Sequence, residues 1–502
     1  MNTFKRKALL TAVLASMGAA GTAEAVYLNP NRTGQALVYP YFTVQSTGTN
    51  SWNTYISVVN TTTRAKAVKV RFLEGRTSAE VLDFNLYLSP NDMWTAAIVP
   101  SSAAAGAPGH LLTADVSCTS PAIPAGGVDF TNALFASNAD DKLVGTGLDR
   151  TREGYVEMIE MGSLTGTWAA AVTHTSAGVP ANCGVVQALN AVPPSIEAPS
   201  GGLVGTGTLI NVNSGLDVGY KADALEAWRN ASDFAQPGLV NPRLDEAQPP
   251  VSVVVNAGGI DPVTGSSTLI TAYRNTFAVA AGTATPGAKA VASVFMHTNA
   301  INEYILDTVT ASATDWVVTQ PLKRSFVTAA AALPPYTNNL TTNGACESIL
   351  FTFFNREEQT QNTPVTFSPF VPGTTTGQLC WESTVLSIRN QTNASAASLV
   401  LGSVNDTIVG IPAGFQNGWA NLSFVGTNAT TVGMGTATSD RVDLTGVGPA
   451  TAVTSPVTFF GLPVTGFMIR TLTNGTLTCG AGSCQGNYSS LFAHSYITTI
   501  TP

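Results

Sequence analysis

A chain of 502 residues with a formal charge of −8 is a poor partner for nucleic acid, and it carries no basic patch to meet phosphate. Charged residues make up 11% of it, against about 25% in ordinary soluble domains, and Thr, Ser, Asn, Ala and Gly take their place. A hydrophobic content of 44% argues against disorder, because such a chain can bury a core, and its length suits two or three domains.

Residues 1–25 read as a secretory signal peptide. Lys5, Arg6 and Lys7 form a basic start, residues 8–20 are small and apolar, and Ala23-Glu24-Ala25 is a small-x-small cleavage site before Val26. The apolar run is shorter than the roughly 20 residues that span a bilayer. No later run is longer, so no transmembrane segment is expected after cleavage.

Residues 36–44 (ALVYPYFTV) read as a strand interrupted by Pro40, which belongs at an edge or a bulge. Over residues 53–99 three runs alternate apolar and polar side chains. Val68, Val70 and Phe72 share one face and Lys69 and Arg71 the other; Leu82, Phe84, Leu86 and Leu88 alternate with Asp83, Asn85 and Tyr87. That period of two belongs to half-buried antiparallel strands, dry on one side and wet on the other. Such a sheet needs a second layer. Residues 101–109 are a loop, 110–118 a short strand and 119–149 mostly irregular. In 154–161 (GYVEMIEM) a strand would place Glu157 and Glu160 on opposite faces. Residues 169–175, 184–189 and 203–212 continue the β pattern.

Residues 221–230 (KADALEAWRN) read as the one short helix, within a loop and helix insertion near 215–250. Strands are expected at 251–255, 288–295, 301–306, 316–318 and 325–327. Residues 329–345 are rich in Ala, Pro, Asn and Thr and mark a boundary. Beyond it, 348–354, 383–388, 398–401, 419–424 and 466–471 read as strands between polar turns. The expected fold is all-β, built of antiparallel β-sandwich (Ig-like) domains with long loops: an N-terminal region over 26–334 and a C-terminal domain over 335–502.

The six cysteines, Cys118, Cys183, Cys346, Cys380, Cys479 and Cys484, form an even set behind a signal peptide, which points to disulfides. Pairing each with its neighbour is the simplest of the connectivities. Zinc is the competing reading, but no CxxC occurs and the four histidines are scattered.

Several strings resemble those of a group of exported surface proteins of Gram-negative bacteria: NTYISVVNTT, VKVRFLEG, EGYVEMIEMG, NEYILD followed by TDWVV, and Cys380-Trp381-Glu382. The resemblance is scattered over most of the chain after residue 25. It implies an exported surface protein and brings no chemistry and no catalytic residues with it.

The catalytic patterns sought are missing. No G-x-S-x-G elbow is present. Gly145-Thr-Gly147 and Gly205-Thr-Gly207 lack the third glycine of a dinucleotide loop, and His110, His174, His297 and His494 lack metal spacing. Glu157/Glu160 and Glu357/Glu358 are the carboxylate pairs a glycosidase would use, at about 5–10 Å; a hydrogen-bonded or solvated role competes for each. Asp140-Asp141, Asp261 and Asp440/Asp443 could assist calcium but match no calcium motif. Asp315-Trp316 and Trp381-Glu382 join an aromatic plane to an acid, as a sugar-binding face requires, while a tryptophan filling a core is the structural alternative. The expectation is an exported, non-catalytic structural or adhesive surface protein without a cofactor. Its partners would be further copies of itself, other envelope proteins or a glycan. A secreted glycan-binding module is the alternative, and an extracellular glycoside hydrolase is the third class. N-terminal sequencing of the exported protein is expected to begin at Val26; a start at Met1 in the envelope fraction would contradict the signal peptide.

Overall fold

The computed structural model describes residues 25–501 except 48–49, 189, 249–250, 258–269, 278–283, 360–376, 391–396, 413, 425–442, 447–456 and 481. The signal-peptide residues 1–24, Asp261 and Asp440 lie outside the described residues. The fold is all-β, 49% strand, with several antiparallel, sandwich-like sheets. Four sheets carry it.

The central sheet has eight strands. Ala36–Thr43, Glu153–Leu164, Lys66–Glu74 and Glu80–Leu88 are its inner strands, in that order. A second, six-stranded sheet includes Met93–Pro100, Asn53–Asn60, Leu203–Asn211 and Leu216–Lys221. Leu37, Tyr39, Val68, Val70, Phe72, Val156 and Met158 face Ile56, Val58, Trp94 and Leu209 across the first core. The alternation in the sequence thus selects the dry face as expected.

The other face of the central sheet is not wet. Lys66–Glu74 and Glu153–Leu164 are buried along their whole lengths. Ala36, Val38, Tyr155 and Ile159 belong to a second core with the helix Pro286–Phe295 and the C-terminal sheets. The charged side chains of this face are covered as well, and each is paired. Lys69 bonds Asp83, and Arg71 bonds Glu80 at 2.7 Å and Glu157 at 2.6 Å; on the first-core face, at the edge of that core, Lys66 bonds Glu160 at 2.8 Å.

The third sheet runs Gly377–Leu379, Glu347–Asn355, Asn417–Ser423, Asn299–Ile305, Ser495–Ile497. The fourth runs Asp406–Ile411, Ser383–Asn390, Ala313–Thr319, Thr465–Cys479, Gly482–Ala493. Both draw strands from either side of position 335. All pairings in these sheets are antiparallel except that of Ser383–Asn390 with Asp406–Ile411. The fourth sheet is covered twice. Trp316, Val318 and Met468 face the third sheet, while Val317, Val385, Phe467 and Ile469 pack into the first core, where Phe467 stacks on Tyr220 at 5.2 Å.

Two expected elements exchange identity. Residues 221–230 are not a helix: Asp223–Glu226 is a strand on Ala36–Val38, and it sends Ala224 into the first core and Leu225 into the second. Leu216–Lys221 belongs to the six-stranded sheet, so the expected insertion near 215–250 supplies strands to two sheets. Sheet pairing here overrides a helix-favouring composition. Residues 288–295 are not a strand but most of the helix Pro286–Phe295. Thr285 caps it, its Oγ1 accepting from the Ala288 N–H at 3.1 Å, and Pro286 stands in the first turn. This helix is buried nearly all round, and a short apolar run of this kind does not separate a buried helix from a buried strand. Residues 169–175 and 184–189 hold the short helices Gly166–Val172 and Gly184–Gln187, and neither 398–401 nor 325–327 is a strand.

The disulfides join Cys118 to Cys183, Cys346 to Cys380 and Cys479 to Cys484, in neighbour order as expected. The two sandwiches are tied more deeply by Glu153. Its carboxylate accepts from Tyr41 Oη at 2.6 Å, Gln45 Nε2 at 3.2 Å, Ser403 Oγ at 2.6 Å and the amides of Val404 and Asn405 at 3.2 and 3.3 Å. Replacing it would leave several buried donors unmatched, each costing about 1–3 kcal/mol. Urea unfolding of Glu153→Ala is expected to show a loss of about 3–5 kcal/mol. Glu197→Ala, at an exposed ion pair with Arg64, should cost less than about 1 kcal/mol.

Candidate functional site

The covered charged face of the central sheet opens at one end into a cleft of about 560 Å³, lined by Arg71, Glu80, Tyr155, Glu157, Arg243 and Asp245 among others. Arg71 and Glu157 come from neighbouring strands, where they are register partners. A smaller cavity of about 240 Å³ adjoins it, lined by Lys323, Cys380 and Glu382. Asn138, Asp141 and Arg324 line both. The larger cleft comes mainly from the N-terminal strands and the loops laid over them. The smaller one is walled by the turn at 321–324 and by the Cys380-Trp381-Glu382 string.

Most charges in these cavities are engaged by other protein groups. Arg324 clamps Asp141 through both terminal nitrogens and donates to the Thr77 carbonyl at 3.0 Å. Asp245 accepts from Ser325 Oγ at 2.8 Å, and Tyr155 Oη lies 2.9 Å from Ser78 Oγ and from the Pro321 carbonyl. Lys323 Nζ donates to the carbonyls of Leu379 and Cys380, both at 3.3 Å, and lies 5.7 Å from the centre of the Tyr336 ring. Glu382 is buried, and its Oε2 makes no hydrogen bond.

Burial sets the proton affinities here. It pushes the Glu382 carboxyl up to about 8 against the pull of Lys323 and Arg324. It brings Lys323 down to about 8 against Glu382 and Glu347. It raises Glu157 to about 6, opposed by Arg71. Three carboxyl groups of raised affinity, Glu80, Glu157 and Glu382, therefore line adjoining cavities.

The residues singled out in the sequence are dispersed. Glu157 lines the larger cleft. Glu160 is fully buried, held by Lys66 and by the amides of Ser200 and Gly201, both at 2.9 Å. Trp381 lies under the Arg76 guanidinium at 5.5 Å. Asp315 and Trp316 are buried in the fourth sheet. Asp315 Oδ2 accepts from the amides of Val400 and Leu401, and Trp316 donates Nε1–H to the Glu303 carbonyl at 3.0 Å. His110 bonds Asp129 at 2.6 Å, and Asp140 accepts from the Ala329 amide at 3.3 Å. Among the described residues no group of three or more His, Cys, Asp or Glu could hold a metal ion.

A second feature lies on the outward face of the third sheet. Phe354 and Trp419, on adjacent strands, stack at 4.4 Å with 13° between their planes, and Trp419 is 42% exposed. On the other side of Trp419 its register partner Glu303 bonds Arg470 at 2.9 Å. The Arg470 guanidinium in turn lies 5.2 Å from the ring centre of Phe492, which is 46% exposed. Both strands were expected from the sequence. The signal for the stack was an aromatic at an outward position on each, but pairing them required the register.

No family model, curated protein or solved structure matches the chain.

The raised affinity of Glu382 gives a pH test. Above its ordinary value of 4.5 the unfolded chain sheds this proton, while the folded protein keeps it up to about 8. The unfolded state then binds fewer protons, so this group's contribution to stability is present in acid and is lost as pH rises through that window. Glu382→Gln cannot ionise and is expected to flatten the loss. Urea midpoints at pH 5 and pH 8 are the measurement, with the variant gaining on the wild type at the higher pH. An equal difference at both pH values would tell against it.

Proposed function

We propose that the protein is an exported, non-catalytic surface protein that serves attachment. The observation that carries this reading is the exposed Phe354–Trp419 stack beside the Glu303–Arg470 pair, a side-chain platform held rigidly on a sheet. Two further features support attachment through such a platform over exchange of strands. The third sheet ends in three-residue strands on both sides. The long outer strand Gly482–Ala493 lies along Leu216–Lys221, with Ser489 Oγ donating to the Asp217 carbonyl at 2.9 Å and Asn487 to that of Ser214 at 2.7 Å. Free backbone groups beside the fourth sheet's outer strand are thereby reduced, while residues 350–355 pair on one side only among the described residues. Export rests on the signal-peptide pattern of residues 1–25, and three disulfides fit an oxidising compartment. No helix among the described residues is long and apolar enough to cross a membrane.

A glycoside hydrolase is the second reading, favoured by the raised proton affinities of Glu157 and Glu382 in adjoining cavities. Against it, Glu157 is committed to Arg71 and Glu382 is buried beneath the surface. Co-sedimentation of the purified protein with isolated cell envelopes is expected to show saturable binding. A protein that stays in the supernatant at every concentration, and remains monomeric in the ultracentrifuge, would overturn the attachment reading. Polysaccharide cleavage abolished in both Glu157→Gln and Glu382→Gln, with folding intact, would replace it with the hydrolase.

A further inference from the structure

We propose that the platform of Phe354, Trp419, Glu303, Arg470 and Phe492 binds an uncharged polysaccharide whose pyranose rings present a flat C–H face. The inference rests on the attachment reading and names its ligand class. Size argues first. Trp419 is 42% exposed and Phe354 is half-buried, so the stack offers well under the roughly 300–500 Å² of two fully open aromatic side chains, which suits one sugar ring. It falls short of the about 800 Å² per partner that a stable protein interface buries.

Charge argues second. Arg470 is the cation of the platform, and its charge is matched by Glu303 at 2.9 Å. A polyanion or an anionic membrane needs an excess of cations, and among the described residues beside the stack Arg356 and Arg470 are outnumbered by Glu303, Glu357 and Glu358. An uncharged chain of hydroxyls needs an apolar plane flanked by groups that both donate and accept. The Trp419–Phe354 stack supplies the plane. The exposed Glu303 carboxylate supplies acceptors and the Arg470 guanidinium beside it supplies donors.

Position argues third. Phe354 stands in Glu347–Asn355 beyond the point where Gly377–Leu379 pairs with it. Among the described residues no strand lies on its far side, and the stack stands at that margin of the described sheet. A long polymer can pass over such a margin without being threaded. The neighbouring strand holds the rings in place: Phe354 and Trp419 are register partners, so stacking costs little further ordering when a ligand arrives.

Titration of the whole exported protein with cellohexaose, laminarihexaose and chitohexaose, followed by tryptophan fluorescence and calorimetry, tests this. At least one is expected to bind, with little dependence on salt. Trp419→Ala and Phe354→Ala should each weaken binding at least tenfold, and Trp419→Phe only a few-fold, all with unchanged melting temperature. Binding of none of the three, binding equal in Trp419→Ala, or binding of a heparin fragment alone would overturn the proposal. The attachment reading is scored separately. Wild-type protein that sediments with envelopes but binds no hexasaccharide ends this inference alone, whereas failure to sediment ends the reading beneath it.

Discussion

A charge taken out of water must find a partner, since an unpaired one costs several kcal/mol. This protein places much of its small stock of charge inside. Lys69, Arg71, Glu80 and Glu157 stand on the central sheet where a solvated face would ordinarily be, Lys66 and Glu160 are paired on its other face, and Glu74 is gripped by Arg150 at 2.7 and 3.1 Å. The cross-strand register makes these contacts. Glu157 is directly opposite Arg71, while Lys69 reaches Asp83 and Arg71 reaches Glu80 on the diagonal, so ordinary sheet pairing brings opposite charges within reach before any covering layer is added. With the charges matched, loops and a second pair of sheets can close over them.

Surface and interior then divide their work. The interior holds ion pairs and directed hydrogen bonds, which favour one arrangement of the sheets over others. The surface keeps hydroxyls, amides and a few exposed rings. Aromatic side chains left on such a surface stand out chemically, and the charge beside them, as at Glu303 and Arg470, is paired.

Local pattern was legible in the sequence wherever one residue type answers one physical demand. The period of two in Lys66–Glu74 and Glu80–Leu88 located the strands and their apolar face, and the even cysteine count suggested the bonds that form. The polar face was misjudged, because Lys69 and Arg71 look the same in sequence whether water or a carboxylate meets them. Residues 221–230 and 288–295 were exchanged for a related reason. Sheet pairing overrides a helix-favouring composition in the first, and a short apolar run does not tell a buried helix from a strand in the second. The cavity around Glu382 needed Lys323, Arg324 and Asp141 from distant parts of the chain, so only its Cys-Trp-Glu wall was visible. Glu153 gave no local sign of reaching Ser403.

That last contact has a consequence for how the molecule comes into being. Glu153 waits for Ser403, the Trp52 Nε1–H meets the Val400 carbonyl across 348 positions at 2.9 Å, and Val26 hydrogen-bonds the Val251 carbonyl at 2.9 Å. Contacts so remote in sequence close slowly, because the entropy of a large loop is lost before the contact rewards it. The early strands therefore exist for a time as open ribbons, and nearly the whole chain must be made before the first of them is sealed. In a chain with so little charge, keeping those ribbons from one another during that interval falls to whatever accompanies the nascent protein.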